Sequence, residues 1–135
     1  MSEQETRETT TAGALTDLAD LRPLRIWQDV TARVLQCERI TMAVVEIPAG
    51  GLVPAHQHEN EQVGLCLAGS LTFTVGEETR DLGPGGMWRI LSNVPHVVKA
   101  GPRGAVVVEV FSPVRSDWAD LEEAPDAPLS WPATT

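Results

Sequence analysis

The stretch Pro54–Val75, PAHQHENEQVGLCLAGSLTFTV, contains the pattern that decides the fold. Its apolar residues alternate with polar or small ones, and short segments such as HENE and AGS interrupt them. Alternation with a period of two predicts β-strands, and interruptions of this kind predict tight turns. The stretch also holds two of the chain's three histidines, so predicted strands and candidate chemistry occur together.

The same pattern of short apolar runs separated by turn residues extends from about residue 25 to residue 112. We predict strands at 31–35, 39–47, 53–57, 62–68, 71–75, 79–82, 86–91, 95–99 and 104–111. No amphipathic helix stands out in this region, whereas 14–21 has the pattern of one helical turn ending before Pro23. Many short strands with tight turns predict an all-β fold, a sandwich or barrel of antiparallel sheet.

A chain of 135 residues has the size of one domain. We predict a flexible N-terminal extension at 1–22, a β-barrel at 23–115 and a Pro-rich C-terminal tail at 116–135. The tail is either mobile or a strap over the surface. The net charge of −9 lies mainly at the two ends of the chain. This distribution argues against a nucleic-acid partner.

The sequence also indicates the cellular compartment of the protein. No apolar run approaches the ~20 residues of a membrane span, and the polar, acidic start does not resemble a secretion signal. Cys37 and Cys66 lack the spacing of a disulfide framework. We therefore predict a cytoplasmic protein with free thiols and no membrane partner.

The histidines have a spacing that suits metal binding. His56 and His58 are two residues apart, so on a strand they face the same way. His96 follows Pro95 at the start of a later strand. Imidazole and side-chain oxygen are suitable ligands for zinc or another first-row transition metal. By itself, a His-x-His pair is usually just two exposed polar residues on a strand edge, so the spacing leaves both interpretations open.

A longer pattern surrounds the histidines: Gly50, five residues, His56-x-His58, three residues, Gln62, six residues, Gly69, and later Pro84-Gly85 and Pro95-His96. It resembles the two motifs of the cupin superfamily over about residues 40–113. The resemblance implies a double-stranded β-helix, the cupin jelly-roll barrel, in agreement with the predicted strands. It also implies that the three histidines bind a metal.

Within the cupins, the chain resembles the small single-domain KdgF-like proteins and, more loosely, the small cupin polyketide cyclases. The KdgF-like family includes a pectin-degradation protein that linearises unsaturated uronate monomers. The resemblance implies that Gln62 is a fourth metal ligand. It further implies that an acid, an aromatic and an arginine near the end of the last strand face the substrate. In this sequence they are Glu109, Phe111 and Arg115.

Several residues depart from the family pattern. Gln62 stands where most cupins have Glu, and Glu109 stands where KdgF-like proteins typically have Asp. Four further departures lie in turns or at strand ends: Gly86 for Asp, Leu91 for Pro, Asn93 for Gly and Ala100 for Asn. These four put little in doubt, since Asn, like Gly, tolerates a positive φ.

The strand after the histidine pair predicts both a cavity and a partner. If Gln62 faces inward, Gly64, Cys66 and Ala68 do so too, and such small side chains leave space for a small ligand. The alternate residues then form an apolar outer face: Val63, Leu65 and Leu67. We therefore predict a homodimer in which a second subunit covers this face.

Three further residues are candidates for contact with a substrate. Glu109 lies in the apolar run AVVVEVF, where a buried, unpaired carboxylate costs several kcal/mol. It therefore either faces solvent or lines a polar cavity near a cation. Arg115 and Arg89 are candidates for pairing with an anionic group, although Arg89 is equally an exposed strand residue. Trp88 is a candidate wall of the cavity.

A ligand set of three histidines and one glutamine is neutral. It therefore favours Lewis-acid chemistry over dioxygenation, with one divalent metal per chain: Zn, Ni, Fe or Mn, with Zn or Ni favoured. We predict that Glu109 acts as general acid and base while Arg115 fixes an anionic small-molecule substrate during ring opening, tautomerisation or cyclisation. An Fe- or Mn-dependent cupin dioxygenase and a non-catalytic small-molecule-binding cupin are the alternatives.

Overall fold

The computed structural model describes residues 13–132, which form eight strands and two 3₁₀ turns. The strands are β1 (Leu24–Trp27), β2 (Val30–Gln36), β3 (Thr41–Ile47), β4 (Leu52–His56), β5 (Glu61–Val75), β6 (Glu78–Leu82), β7 (Met87–Ile90) and β8 (His96–Ser112). The turns are Leu18–Asp20 and Ser116–Trp118. The first of them lies inside the predicted helical turn at 14–21. Residues 1–12 of the predicted flexible extension lie outside the described residues.

All strand pairs are antiparallel, in the order β1-β2-β3-β8-β5-β6, with β4 also on β8 and β7 also on β5. Strands β5 and β8 contain 15 and 17 residues and pair along both of their halves. Each long strand therefore joins the two faces of the barrel. The all-β fold, the antiparallel sheet and the jelly-roll barrel predicted from the sequence are confirmed.

The number of strands differs from the prediction at two places. Segments 62–68 and 71–75 are halves of β5, and segments 95–99 and 104–111 are halves of β8. The interrupting glycines are bulges that bend the strands instead of ending them. Gly69 and Gly104 have φ angles of 78° and 76°, and a Cβ on Gly69 would overlap the carbonyl oxygen of Gly104. These glycines, which the sequence suggested as turns between strands, therefore mark corners of the barrel.

The bulge also corrects one predicted side-chain direction. Gln62, Gly64 and Cys66 are buried as expected, and Val63 between them is half exposed. Ala68 lies beyond the break in register after Cys66 and lines an outer groove instead of the interior. The expectation that Ala68 faces inward is wrong because a bulge shifts the alternation by one residue.

Strand β1 was not predicted, because its four residues show no alternation and all are half buried. It pairs with β2 on one side and meets the C-terminal chain on the other. The backbone N–H of Arg25 donates to Glu122 O at 2.9 Å, and that of Ala124 donates to Pro23 O at 2.9 Å. We call residues 116–127 the C-terminal strap.

The core fills the barrel with aliphatic and aromatic residues, among them Val30, Ala43, Ile47, Leu71, Phe73, Ile90, Val107 and Phe111. Towards one end of the barrel, inward-facing side chains leave a cavity of about 360 Å³. Within residues 13–132, no helix has the length and apolar composition needed to cross a membrane.

Candidate metal centre

Three histidines meet at the mouth of the cavity. His56 ends β4 and lies opposite His96, the first residue of β8. His58 follows two residues after the end of β4, in the loop that leads to β5. The ring centroids are 4.2 Å apart for His56 and His96, 5.0 Å for His58 and His96, and 5.4 Å for His56 and His58. One ring nitrogen from each residue lies within 4.8 Å of the other two.

The backbone fixes the tautomer of each imidazole. Nδ1 lies 2.8 Å from Pro54 O in His56, 3.0 Å from Asn60 O in His58 and 2.9 Å from Val94 O in His96. Because a carbonyl oxygen only accepts, each Nδ1 carries the proton and each Nε2 keeps its lone pair. Hydrogen bonds of this kind orient histidines that bind metals.

The histidines are held neutral. Burial lowers the pKa of His56 and His58, and the positive charge of Arg115 acts in the same direction. Burial, assisted by the two neighbouring histidines and Arg115, lowers the pKa of His96 to about 4. An imidazole must be neutral to bind a metal. The unliganded cluster is therefore in the binding state at neutral pH.

Gln62 lines the same cavity as the three histidines. Its Nε2 donates to Glu109 Oε2 at 2.7 Å, and this contact sets the orientation of the amide because a carboxylate accepts. The amide oxygen is left buried and without a hydrogen-bond partner. His58 Nε2 and His96 Nε2 are buried and unpartnered as well.

These atoms fit a metal ion. Unpaired buried acceptors are costly, and three of them belong to residues that line this cavity together with His56. A shared cation satisfies all of them at once, which a single protein donor cannot do. Nitrogen and oxygen donors of this type suit a divalent transition metal.

Glu109 lies at the floor of the cavity, opposite Gly64 on β5. Trp88 Nε1 donates to its Oε2 at 3.2 Å, alongside the amide of Gln62. Burial raises the pKa of Glu109 to about 7, although the two donors and Arg115 act in the opposite direction. Both protonation states are therefore accessible near neutral pH.

Trp88 occupies the space that Gly64 leaves free. A Cβ on Gly64 would overlap the Trp88 indole ring. The expectation that small β5 residues leave room for a ligand is therefore corrected at this position, since the room holds a tryptophan. Trp88 still lines the cavity, and it packs on Phe73 with ring centroids 4.8 Å apart.

Arg115 is buried and lines the cavity, but its charged face is already paired. Nε and Nη2 donate to the two carboxylate oxygens of Asp117 at 3.0 and 2.9 Å. Its guanidinium carbon lies 4.8 Å from the centre of the Phe111 ring and 4.2 Å from that of Trp118. Phe111 is itself part of the cavity wall, 6.0 Å from His58 between ring centroids.

Arg89 lies outside the site. On β7 buried and exposed residues alternate, and Arg89 is exposed between Trp88 and Ile90. It lines a separate surface depression with Glu78 and Arg80. The expectation that Arg89 contacts substrate in the cavity is wrong, because strand alternation turns it away when Trp88 faces inward.

Other cavity residues were missed. Trp27, on the unpredicted β1, lies 5.2 Å from His56 between ring centroids. Asp117, Trp118 and Leu121 line the cavity from the C-terminal strap. The strap residues carry no periodic signal, and only the Arg-x-Asp spacing of Arg115 and Asp117 hinted at a pair.

Comparisons with known proteins agree with this geometry. A family model described as a cupin domain matches residues 43–111. The pectin degradation protein KdgF of Dickeya dadantii (strain 3937) is 29% identical over 80 residues, which cover 58% of this chain and 73% of that protein.

Solved structures give the same picture. The structure of KdgF from Halomonas sp. matches with a TM-score of 0.73 and 21% identity, covering 78% of this chain and 98% of that one. An RmlC-like cupin from Shewanella frigidimarina NCIMB 400 matches with a TM-score of 0.74 and 18% identity, covering 79% and 96%. At these identities the structural matches establish a shared fold.

Proposed function

Because this chain belongs to the cupin domain family, we propose that it is an enzyme that uses one divalent metal as a Lewis acid on a small oxygenated substrate. The observation that carries the proposal is the donor set. Three imidazoles with free Nε2 atoms and the unpaired oxygen of Gln62 surround one space at the mouth of an internal cavity.

His56, His58, His96 and Gln62 are the proposed ligands, and Zn or Ni is the proposed metal. When bound, the metal would polarise a carbonyl or hydroxyl oxygen of the substrate. The four ligands are neutral and so do not offset the charge of a divalent ion. A ligand set without a carboxylate also differs from the two-histidine, one-carboxylate set of non-haem iron oxygenases. Both properties support Lewis-acid chemistry.

Glu109 is the proposed general acid and base. Gln62 and Trp88 both donate to its Oε2, so Oε1 is the atom that is free to exchange a proton with a molecule in the cavity. A pKa of about 7 suits a group that both accepts and returns a proton near neutral pH. Phe111 provides an apolar wall beside the site, and Arg115 lies next to it.

The proposed reaction is an isomerisation. Glu109 would take a proton from one substrate atom and return it to another, so no oxidant or reductant is consumed. Two kinds of substrate fit this description: an unsaturated uronate-like sugar that opens and tautomerises, and a carbonyl compound in a biosynthetic cyclase or isomerase step. The similarity to the KdgF protein of D. dadantii supports the first.

Metal analysis and turnover together test the proposal. We expect one Zn or Ni per chain, turnover that is lost on chelation, and recovery when the metal is restored. The assay substrates would be an unsaturated galacturonate and an enolisable diketone, followed by ultraviolet absorbance. Oxygen uptake during turnover would instead indicate a dioxygenase. Metal binding without any turnover would indicate a binding protein.

Glu109→Gln tests the acid–base role. Loss of general acid–base catalysis lowers kcat by roughly 10²–10⁴-fold, and the metal content should not change. Glu78→Gln makes the same substitution on exposed β6 and should have no effect. Unchanged turnover by Glu109→Gln would remove Glu109 from the mechanism.

We also propose a homodimer that buries the outer face of β5 and β7. Val63 and Met87 are 50% and 70% exposed, and the two strands pair directly through Val63–Arg89 and Leu65–Met87. Covering such apolar side chains is a favourable way to remove them from water. Sedimentation of the protein and of Met87→Glu would test this, with the variant expected to be monomeric. A monomer in both cases would refute it.

A further inference from the structure

Within the described chain, Arg115 is the cationic side chain that lines the cavity. A guanidinium recognises a carboxylate best through two parallel hydrogen bonds. In this protein Asp117 already forms those two bonds, through Nε and Nη2. The Nε–Nη2 edge of Arg115 is therefore occupied by the chain itself, and only the Nη1–Nη2 edge has donors left for a second carboxylate.

Arg115 is also fixed from several directions. Its backbone N–H donates to Thr41 Oγ1 at 2.8 Å, and its carbonyl oxygen accepts from Gln36 Nε2 at 3.1 Å. Its guanidinium lies between the rings of Phe111 and Trp118. Turning the charged face toward a ligand would break the pair with Asp117 and disturb this stacking.

Asp117 adds a negative charge beside the site. The hydrogen bonds from Arg115 are the main reason that its pKa lies below the usual range, so it is ionised at neutral pH. Glu109 is the second carboxyl group of the cavity. Apart from the proposed metal, a substrate carboxylate would therefore meet two acids and an arginine that is already paired.

The rest of the wall is largely apolar. Three tryptophans, two phenylalanines and several aliphatic side chains surround the space. Apart from the proposed metal ligands, Glu109 and the Arg115–Asp117 pair, Gln57 supplies the remaining polar side chain among the described lining residues. A sugar with several hydroxyl groups would find few hydrogen-bond partners in this cavity, whereas an apolar or aromatic body would fit it.

We propose that Asp117 is a specificity-determining residue that reserves the cavity for an uncharged, largely apolar carbonyl compound. Asp117 does so by occupying the Nε–Nη2 edge of Arg115 and by offsetting its positive charge, so that Arg115 attracts a substrate carboxylate less strongly. The inference rests on the proposed function and deepens it, because it selects the diketone-like class over the uronate. It also revises the prediction that Arg115 binds an anionic group of the substrate.

A matched pair of probes tests this proposal. The neutral probe is 1-phenyl-1,3-butanedione, and the charged probe is the same diketone with a carboxylate on the ring. Binding to zinc-loaded protein is followed by tryptophan fluorescence, since Trp27, Trp88 and Trp118 line the cavity. We expect the neutral probe to bind at least about tenfold more tightly, a difference of about 1.4 kcal/mol.

Variants at Asp117 then identify the cause. Asp117→Asn should reduce the preference about tenfold by freeing Arg115 for the charged probe, whereas Asp117→Glu should retain it. Asp120→Asn removes the same charge from an exposed strap residue and should leave the preference unchanged. Equal or tighter binding of the charged probe by the unaltered protein would overturn the proposal. Failure of the neutral probe to bind, or an unchanged preference in Asp117→Asn, would overturn it too.

The result of the binding test for Asp117 can be distinguished from the result of the turnover test for the proposed function. The preference is a ratio of binding constants and requires no turnover. Efficient turnover of the unsaturated galacturonate would support the proposed function while refuting the role of Asp117. A clear preference for the neutral probe in a protein without any turnover would support the role of Asp117 while refuting the proposed function.

Discussion

The two walls of the cavity are held in different ways. The histidine wall consists of His56, His58, Gln62 and His96, and each histidine is oriented by a carbonyl two residues away in the chain. The strap wall consists of Arg115, Asp117, Trp118 and Leu121. By contrast, the backbone of Arg115 and the strap are held by residues that lie far away in the sequence.

Arg33 shows what holds the strap. It is buried, and it donates to Leu21 O at 3.0 Å and to Ala127 O at 2.9 Å. Its guanidinium also lies 3.8 Å from Glu46 and 3.9 Å from Asp126. Locally held groups keep their geometry when distant parts move, so the comparison assigns chemistry to the histidine wall and selectivity to the strap wall.

The largest expected effect belongs to the histidine wall. In His96→Ala we expect metal affinity to fall by more than the roughly 10–100-fold that accompanies loss of a partner behind a ligand. The measurement is metal content after dialysis, with circular dichroism to confirm that the barrel is folded. Unchanged stoichiometric metal binding would mean that this wall does not hold the metal.

Gln62→Glu should have the next largest effect. Gln62 Nε2 donates to Glu109 at 2.7 Å, so a glutamate would place two carboxylates in contact and one of them would retain a proton. We expect turnover to fall by roughly 100-fold, the lower end of the range for general acid–base catalysis, with the metal still bound. Steady-state kinetics and metal analysis measure the two effects.

The control for Gln62→Glu is Gln28→Glu, the same change at an exposed position. It should leave turnover as it is. Full activity in Gln62→Glu would show that neither the charge of the ligand set nor the amide contact with Glu109 matters to the reaction.

Arg33→Ala should have a smaller effect that is confined to the strap wall. Loss of its hydrogen bond to Ala127 should destabilise the strap by about 1 kcal/mol, and loss of the bond to Leu21 should loosen the segment before β1. Chymotrypsin should cleave the strap faster near Trp118 and Leu121, while zinc affinity should change little. Proteolysis and zinc titration measure the two walls separately.

Arg39→Ala is the control for Arg33→Ala, because Arg39 is exposed in the turn between β2 and β3. If Arg33→Ala weakened zinc binding as well as speeding cleavage of the strap, the two walls would be coupled and the division of roles would be wrong.

Much of the fold was predictable because strand alternation is a local property. The predicted strands correspond to β2–β8, and Asn93 has the positive φ, 64°, that its turn position suggested. Gly69 and Gly104 were misleading, since glycine is found both in turns and in bulges. Sequence alone does not distinguish a strand that ends from a strand that bends around a barrel corner.

The candidate site divides in the same way. His56, His58, His96 and Gln62 were identified from their spacing and from a family resemblance, and all four side chains line one cavity. Arg89 was misplaced because its direction depends on which of two alternate β7 residues faces inward. Trp88 faces inward because Gly64, on the neighbouring strand, leaves room for its ring.

The sequence by itself therefore determined the positions of β2–β8, because strand alternation is a short-range periodicity. The family and the candidate ligands came from the histidine spacing together with a family resemblance. Three contacts were decided only by the tertiary structure. Gln62 donates to Glu109, and Trp88 fills the space beside Gly64. Asp117 accepts hydrogen bonds from Arg115. The first two are contacts between strands brought together by barrel closure. The third joins near neighbours in sequence, but it lies in the cavity because contacts from distant residues hold Arg115 and the strap there.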